Sequence, residues 1–421
     1  MLAAGPAKNK VERRSDVDVL RAAVVLGLIF FHTAKIFDLL PYYVKNEQTS
    51  ILLMALVGFV SQWGMPLLFF MAGIATWHSL GVRTPTQFVR ERFRRLVVPF
   101  IFGMCVIVPP MRYYNLLTNP DYHDSFRQFY PKFFSVVLKL SFPRFIQPDP
   151  AVGIFETAHL WFLYYLFVFS LMALPLFVCV RSDAGQRLVA RLAGLCRRRG
   201  AILLLAIPVV SIELFVGLGE SVGWNRYSFL SFLIFGYLFA SNAGFEELAK
   251  RDSTIGLIAG TITVAAFFWV SVLAWQAGTD PSHGYALESV LWRLFKGCSS
   301  WFWVIAIGGL GQRYKQHRAS REQRADLRAG EPGPAHKVLQ YANEAVMPFY
   351  VIHQAVIVII GFYVVKWDAG VMAKYWIISL ASLAGSLLLY ETLARRTSVT
   401  RFLFGMKPIA PREASGPVGH R

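Results

Sequence analysis

The chain has 421 residues, of which 55% are hydrophobic, 15% aromatic and only 16% charged, and its mean hydropathy is +0.45. The apolar residues gather into runs of about 20, long enough to cross a hydrocarbon core of roughly 30 Å, which excludes an ordinary soluble domain. The net charge of +18 resides mostly in alternate short loops, as the positive-inside rule expects of a membrane protein, and so argues against a nucleic-acid partner.

Residues 1–18 form a short polar segment, which we expect to be cytoplasmic. The first span is expected over 19–40, with Arg21 at its start and His32 well inside it. Eleven residues separate the two. At about 100° and 1.5 Å per residue they share nearly one face, roughly 16 Å apart, and form a polar track through an apolar helix. The apolar start is too long for a signal-peptide core and lacks a small-residue cleavage site, so it reads as an uncleaved helix.

A second span is expected over 51–79, with Gly64-Met-Pro66 inside it, and a third over 93–111. Between them comes Arg90-Glu-Arg-Phe-Arg-Arg95. Arg92 and Arg95 lie three apart on one helical face, and paired guanidinium groups suit a bidentate phosphate clamp. Positive residues at a cytoplasmic helix end are also routine topology signals, and both readings stay open here.

Residues 112–158 form the one long outside loop, in which Phe126, Phe129, Tyr130, Phe133, Phe134, Val137 and Leu138 recur at helical spacing and predict an aromatic-faced interfacial helix. Further spans follow over 159–180, 201–219, 226–242, 254–276 and 288–312. Glu213 falls in the fifth span, where it reads as a structural ion-pair partner, and Glu288, Arg293 and Lys296 near the start of the eighth. A polar cytoplasmic linker is expected over 313–337, then spans over 345–365 and 371–394 and a basic cytoplasmic tail over 395–421. His353 is placed about 10 Å into the ninth span.

The fold class is therefore an all-α polytopic membrane protein of about ten transmembrane helices, with no separate soluble domain. With ten spans both termini share a side, and 30 of the 43 Lys and Arg fall on that side, which makes it cytoplasmic. Cys105, Cys179, Cys196 and Cys298 show no paired spacing, so no disulfide framework and no metal site is expected.

His32 and His353 are ionisable groups inside spans, where such groups face a bundle interior, a cavity or a partner. Either can be a neutral histidine bonded to a neighbouring helix or a catalytic base. A side chain with an unperturbed pKa of about 6.5 is suited to accept a hydroxyl proton at neutral pH.

Arg21 and His32, Arg92-Phe-Arg-Arg95, His159-Leu-Trp-Phe-Leu163 and Pro348-Phe-Tyr-Val-Ile-His353-Gln354 together resemble the membrane-bound acyltransferase-3 family, over about residues 13–408. Leu389-Tyr390-Glu391 and the stretch 401–408 resemble its glucan-succinylating branch. The resemblance implies a ten-helix inner-membrane enzyme that moves an acetyl or succinyl group from cytoplasmic acyl-CoA to a hydroxyl of a glucan or other cell-envelope carbohydrate. In it Arg21, Arg92 and Arg95 would bind the donor, His32 would be the catalytic base, and His353 matches a histidine of a late helix. A serine that commonly precedes the family's glycine at 73 is replaced here by Ala72. The competing expectation from another class is a proton-coupled transporter or flippase. It would favour inverted repeats with interrupted helices, which the sequence does not display.

Overall fold

The computed structural model describes residues 15–139, 146–216, 225–282, 284–325 and 334–408. Most of the expected N-terminal segment (1–14), the centre of the linker (326–333) and the end of the tail (409–421) lie outside them.

The architecture is all-α. In chain order the elements are α1 (Ser15–Ala34), α2 (Ile51–Gly81), α3 (Pro85–Arg92), a π-helical turn (Phe93–Val97), α4 (Val98–Val106), α5 (Val108–Leu116) and α6 (Phe126–Phe133). A two-stranded hairpin follows, β1 (Val136–Leu138) and β2 (Ile146–Pro148), with Val137 opposite Gln147. Then come α7 (Trp161–Met172), α8 (Leu174–Val180), α9 (Asp183–Leu195), α10 (Ala206–Ser211) and α11 (Arg226–Ser241). The long helices α12 (Ala243–Gln276), α13 (Leu287–Ala325), α14 (Pro334–Val364) and α15 (Val371–Leu389) lead to the short α16 (Ser398–Leu403).

Among the described residues six helical runs are long and apolar enough to cross a membrane: 51–81, 85–116, 243–276, 287–314, 338–364 and 371–394. A seventh is made of α7 and α8, bent by 53° where Pro175 lacks the N–H that would continue the ladder. Shorter helical runs at α1, 201–216 and α11 match the remaining expected spans. The chain is a multi-pass membrane protein.

The helix α12 begins at Ala243, eleven residues before the expected 254, and three further details differ from the sequence reading. The first helix stops at Ala34 rather than near residue 40. The chain turns there, with Asp38 buried and Ser50 N–H bonded to the Phe37 carbonyl at 2.8 Å, and Pro41 disfavours helix at the preceding residue. The aromatic helix is real but ends at Phe133. Val137 and Leu138 instead join the hairpin, where a β-branched valine pair is at home. Its Phe129 and Phe133 are fully buried while Phe126, Tyr130 and Phe134 are exposed, and Tyr130 donates to the Cys105 carbonyl at 3.0 Å, so one face packs on protein. Third, helix replaces the expected linker on both its described sides, because α13 continues to Ala325 and α14 begins at Pro334.

The chain divides into two compact units. Unit 1 holds residues 1–40, 48–89 and 168–343. Its centre is a close approach of α2 and α11, in which Gly73 faces the Leu233 carbonyl and Gly236 faces the Phe70 carbonyl with no room for a Cβ on either. Small residues are what lets membrane helices meet at backbone distance. Trp301 of α13 is fully buried and donates to the Ile202 carbonyl at 2.9 Å. Unit 2 holds residues 41–47, 90–167 and 344–421; Leu160 and Val351 pack against Gly103, and Phe349 and Ile357 are buried.

Candidate active site

In unit 1, α1 carries Arg21 and His32. Arg21 bonds Asp18 one turn back at 2.9 Å and reaches the Asn343 side chain at 3.5 Å. The neighbouring carboxylate and amide fix its guanidinium in one direction while leaving it 36% exposed. His32 lies in the last turn of the helix rather than well inside it. It is half-buried and meets the Phe31 ring edge-on at 5.0 Å. A polar group arriving beside Arg21 therefore has roughly 16 Å of helix to follow before reaching the imidazole. An apolar cleft is lined by Leu20, the residue before Arg21, together with Met71, Ile74 and Val304.

In unit 2 the arginine cluster straddles the junction of α3 and the π-helical turn. A single π turn inside an α-helix widens it and is frequent at functional sites. Arg92 and Arg95 are half-buried and Arg94 is exposed. Arg95 bonds Glu91 at 3.2 Å, and Arg94 lies over the Phe402 ring at 5.7 Å. The stretch after α16 braces this turn. Gly405, at φ +68°, sits so that a Cβ would come 2.9 Å from the Arg95 carbonyl and 2.8 Å from Pro99. Arg401 also ties this segment to Glu344 at 2.6 Å. Stretch 401–408, read from sequence only as a branch feature, thus shapes the backbone of the arginine cluster.

His353 lies in the same unit, fully buried. Nineteen residues separate it from the start of α14 and eleven from its end, or roughly 28 and 16 Å. Its Nδ1 is 2.8 Å from the Tyr350 carbonyl and 3.2 Å from that of Phe349. Carbonyls only accept, so Nδ1 holds the proton and the basic lone pair lies on Nε2. His159 packs against it at 5.2 Å between ring centres. His159 Nε2 donates to the Val351 carbonyl at 3.0 Å, and Tyr350 Oη donates to the His159 carbonyl. Sequence reading used His159 only as part of a motif. Ala158 beside it has φ +47°, the one non-glycine positive φ among the described residues. Strain of this kind persists where surrounding structure holds a site in place.

Three residues before His159, Glu156 lies beside Tyr43 and Arg112. Burial pushes the Glu156 carboxyl above its ordinary range, with the Arg112 charge and the Tyr43 hydroxyl pulling the other way. Burial also holds the Tyr43 phenol well above its usual value. Among the described residues no group of three His, Cys, Asp or Glu side chains converges as a metal site.

Part-exposed His32, Arg21, Arg92 and Arg95 thus sit on helices of a multi-pass membrane protein. Residues 14–391 match the acyltransferase domain of the acyltransferase-3 family, nearly the whole chain, and the protein belongs to that family. It is a membrane acyltransferase acting on groups other than aminoacyl groups. No curated protein and no solved structure matches the chain.

Proposed function

We propose that the protein moves an acetyl or succinyl group from cytoplasmic acyl-CoA to a hydroxyl of a glucan or another extracytoplasmic envelope carbohydrate, in a bacterial inner membrane with both termini cytoplasmic. The observation that carries this reading is the accessibility of His32: it is half-buried on the same face of α1 as Arg21, whereas His353 is fully buried. His32 is thus the histidine a substrate can reach.

In this reading Arg21, Arg92 and Arg95 bind the donor's phosphates, and the apolar cleft beside Leu20 takes its methylenes. A distance of roughly 16 Å suits an extended pantetheine arm between phosphate and thioester. His32 accepts the acceptor hydroxyl's proton as that oxygen bonds to the thioester carbonyl carbon. The carbon–sulfur bond breaks, and the proton passes to the departing thiolate. Such general base catalysis typically contributes about 100- to 10,000-fold. His353 acts from within the packing as a positioning residue, its tautomer fixed by the two carbonyls.

The test supplies purified protein with labelled acyl-CoA and a glucan. Coenzyme release matched by acylated glucan supports the reading. Passage of unmodified solute across a vesicle, with no coenzyme release, replaces it with transport.

A further inference from the structure

A second polar face runs along α13 in unit 1. Ser289, Arg293, Lys296 and Ser300 recur at spacings of four, three and four, so they share one side of the helix over roughly 16 Å. All are buried, Arg293 to 2% exposure and Lys296 to 3%. Side chains this polar inside a membrane helix mark a pathway or a partner.

The charges on this face do not balance. Glu213 spends its carboxylate on Lys296 at 2.7 Å, and its other oxygen accepts from the Asn225 N–H at 3.1 Å and from the Ser228 hydroxyl. Arg293 has no carboxylate in ion-pair distance among the described residues. Its Nε donates to the Ser289 carbonyl at 3.1 Å and one terminal nitrogen donates to the Gly284 carbonyl. The remaining nitrogen, Nη1, is buried with no hydrogen-bond partner. Among the described residues Glu288, on the same helix, forms no ion pair with it, and the ring of Tyr285, itself 75% exposed, lies over its face at 5.3 Å. An uncompensated buried cation is costly, and its cost falls when an anion with acceptor oxygens arrives.

We propose that Arg293 Nη1 is the anchor of an oxyanion subsite in unit 1, entered past Tyr285, which takes a carboxylate or phosphate group carried by a substrate. The subsite rests on the acyl-transfer reading for its purpose but not for its existence. Two sources present this chemistry: the free carboxylate of a dicarboxylic acyl group, and an anionic substituent on the acceptor carbohydrate. Backbone carbonyls hold two of the guanidinium nitrogens, so the third is aimed before any ligand binds.

The test measures melting of the detergent-purified full chain with succinate, inorganic phosphate and, as a neutral control, succinamide. Wild type is expected to gain stability saturably with at least one anion and not with succinamide. R293Q is expected to bind that anion about tenfold more weakly or worse, the loss of one charge-assisted bond, and R293K to fall between. Without ligand, R293Q is expected to melt no lower than wild type, because it removes an unpaired buried charge. An R293Q that melts well below wild type, or that keeps the full anion response, overturns the proposal, as does a wild type that responds to neither anion. These readouts stand even if no acyl transfer is found. Where transfer is found, a lowered ratio of succinyl to acetyl transfer in R293Q assigns the anion to the donor, and a lowered ratio of anionic to neutral acceptor assigns it to the acceptor. Equal loss with every substrate pair overturns the subsite.

Discussion

Replacing Gly405 by alanine reports directly on whether the C-terminal stretch holds the arginine cluster. Two costs act at that position. The backbone has φ +68°, a region that costs an L-residue roughly 1–2 kcal/mol. The new Cβ would also meet the Arg95 carbonyl at 2.9 Å and Pro99 at 2.8 Å, and overpacking of this kind typically costs about 1–3 kcal/mol. The chain can relieve the contact only by moving the stretch off the π-helical turn, which carries Arg95 with it. The expected result for Gly405→Ala is a destabilisation of about 2–5 kcal/mol in detergent melting. It comes with a raised KM for acyl-CoA and a smaller change in kcat, because a displaced guanidinium loses donor binding before chemistry. Steady-state kinetics with varied donor at fixed acceptor separates the two. An alanine variant with wild-type melting and wild-type KM would refute the brace, and a variant with lowered kcat alone would refute the donor role of the turn.

Three further outcomes follow from buried polar groups. Glu156 is shifted upward mainly by burial, so the folded chain holds this proton more tightly than the unfolded chain. Its contribution is therefore most favourable below the ordinary value of 4.5 and is lost as pH rises through that value to the raised folded one. Glu156→Gln should flatten the melting profile above pH 4.5 and melt higher than wild type at neutral pH, whereas a lower-melting variant would mean that the Arg112 attraction outweighs burial. Lys296→Met leaves Glu213 charged and buried at 2% exposure, and such half-pairs typically cost about 3–5 kcal/mol. The companion Glu213→Leu should recover most of that loss in a double-mutant cycle, and simple additivity would show that the pair is not coupled. Tyr350→Phe removes the donor to the His159 carbonyl at a cost of about 1–3 kcal/mol. If this bond positions the His159 and His353 pair, turnover should fall further than the folded fraction, as read by activity per folded molecule.

Much of the membrane architecture was legible because hydropathy reports it directly: the runs at 51–81 and 371–394 stand where apolar length put them, while the run expected at 254–276 is there but starts at 243. Boundaries set by tertiary contacts were not. Nothing in the apolar run after His32 marks a stop at Ala34, which depends on the buried turn around Asp38 and the bond from Ser50. Charge alone also misled at 313–325, where basic residues read as a loop but continue α13. Within the site, Arg92, Arg95 and His32 announce themselves as charged or ionisable groups in apolar surroundings. The roles of Gly405, His159 and Ala158 come from distances between residues far apart in sequence. Arg293 lay between these cases: its place in a span was readable, but its lack of a counter-charge required the structure.

The central claim is that His32 performs the proton transfer, and His32→Ala measured for labelled acyl transfer from acyl-CoA to glucan tests it most directly. The account predicts a loss of about 100- to 10,000-fold in a variant that inserts and melts like wild type. Normal product formation by that well-folded variant would contradict it.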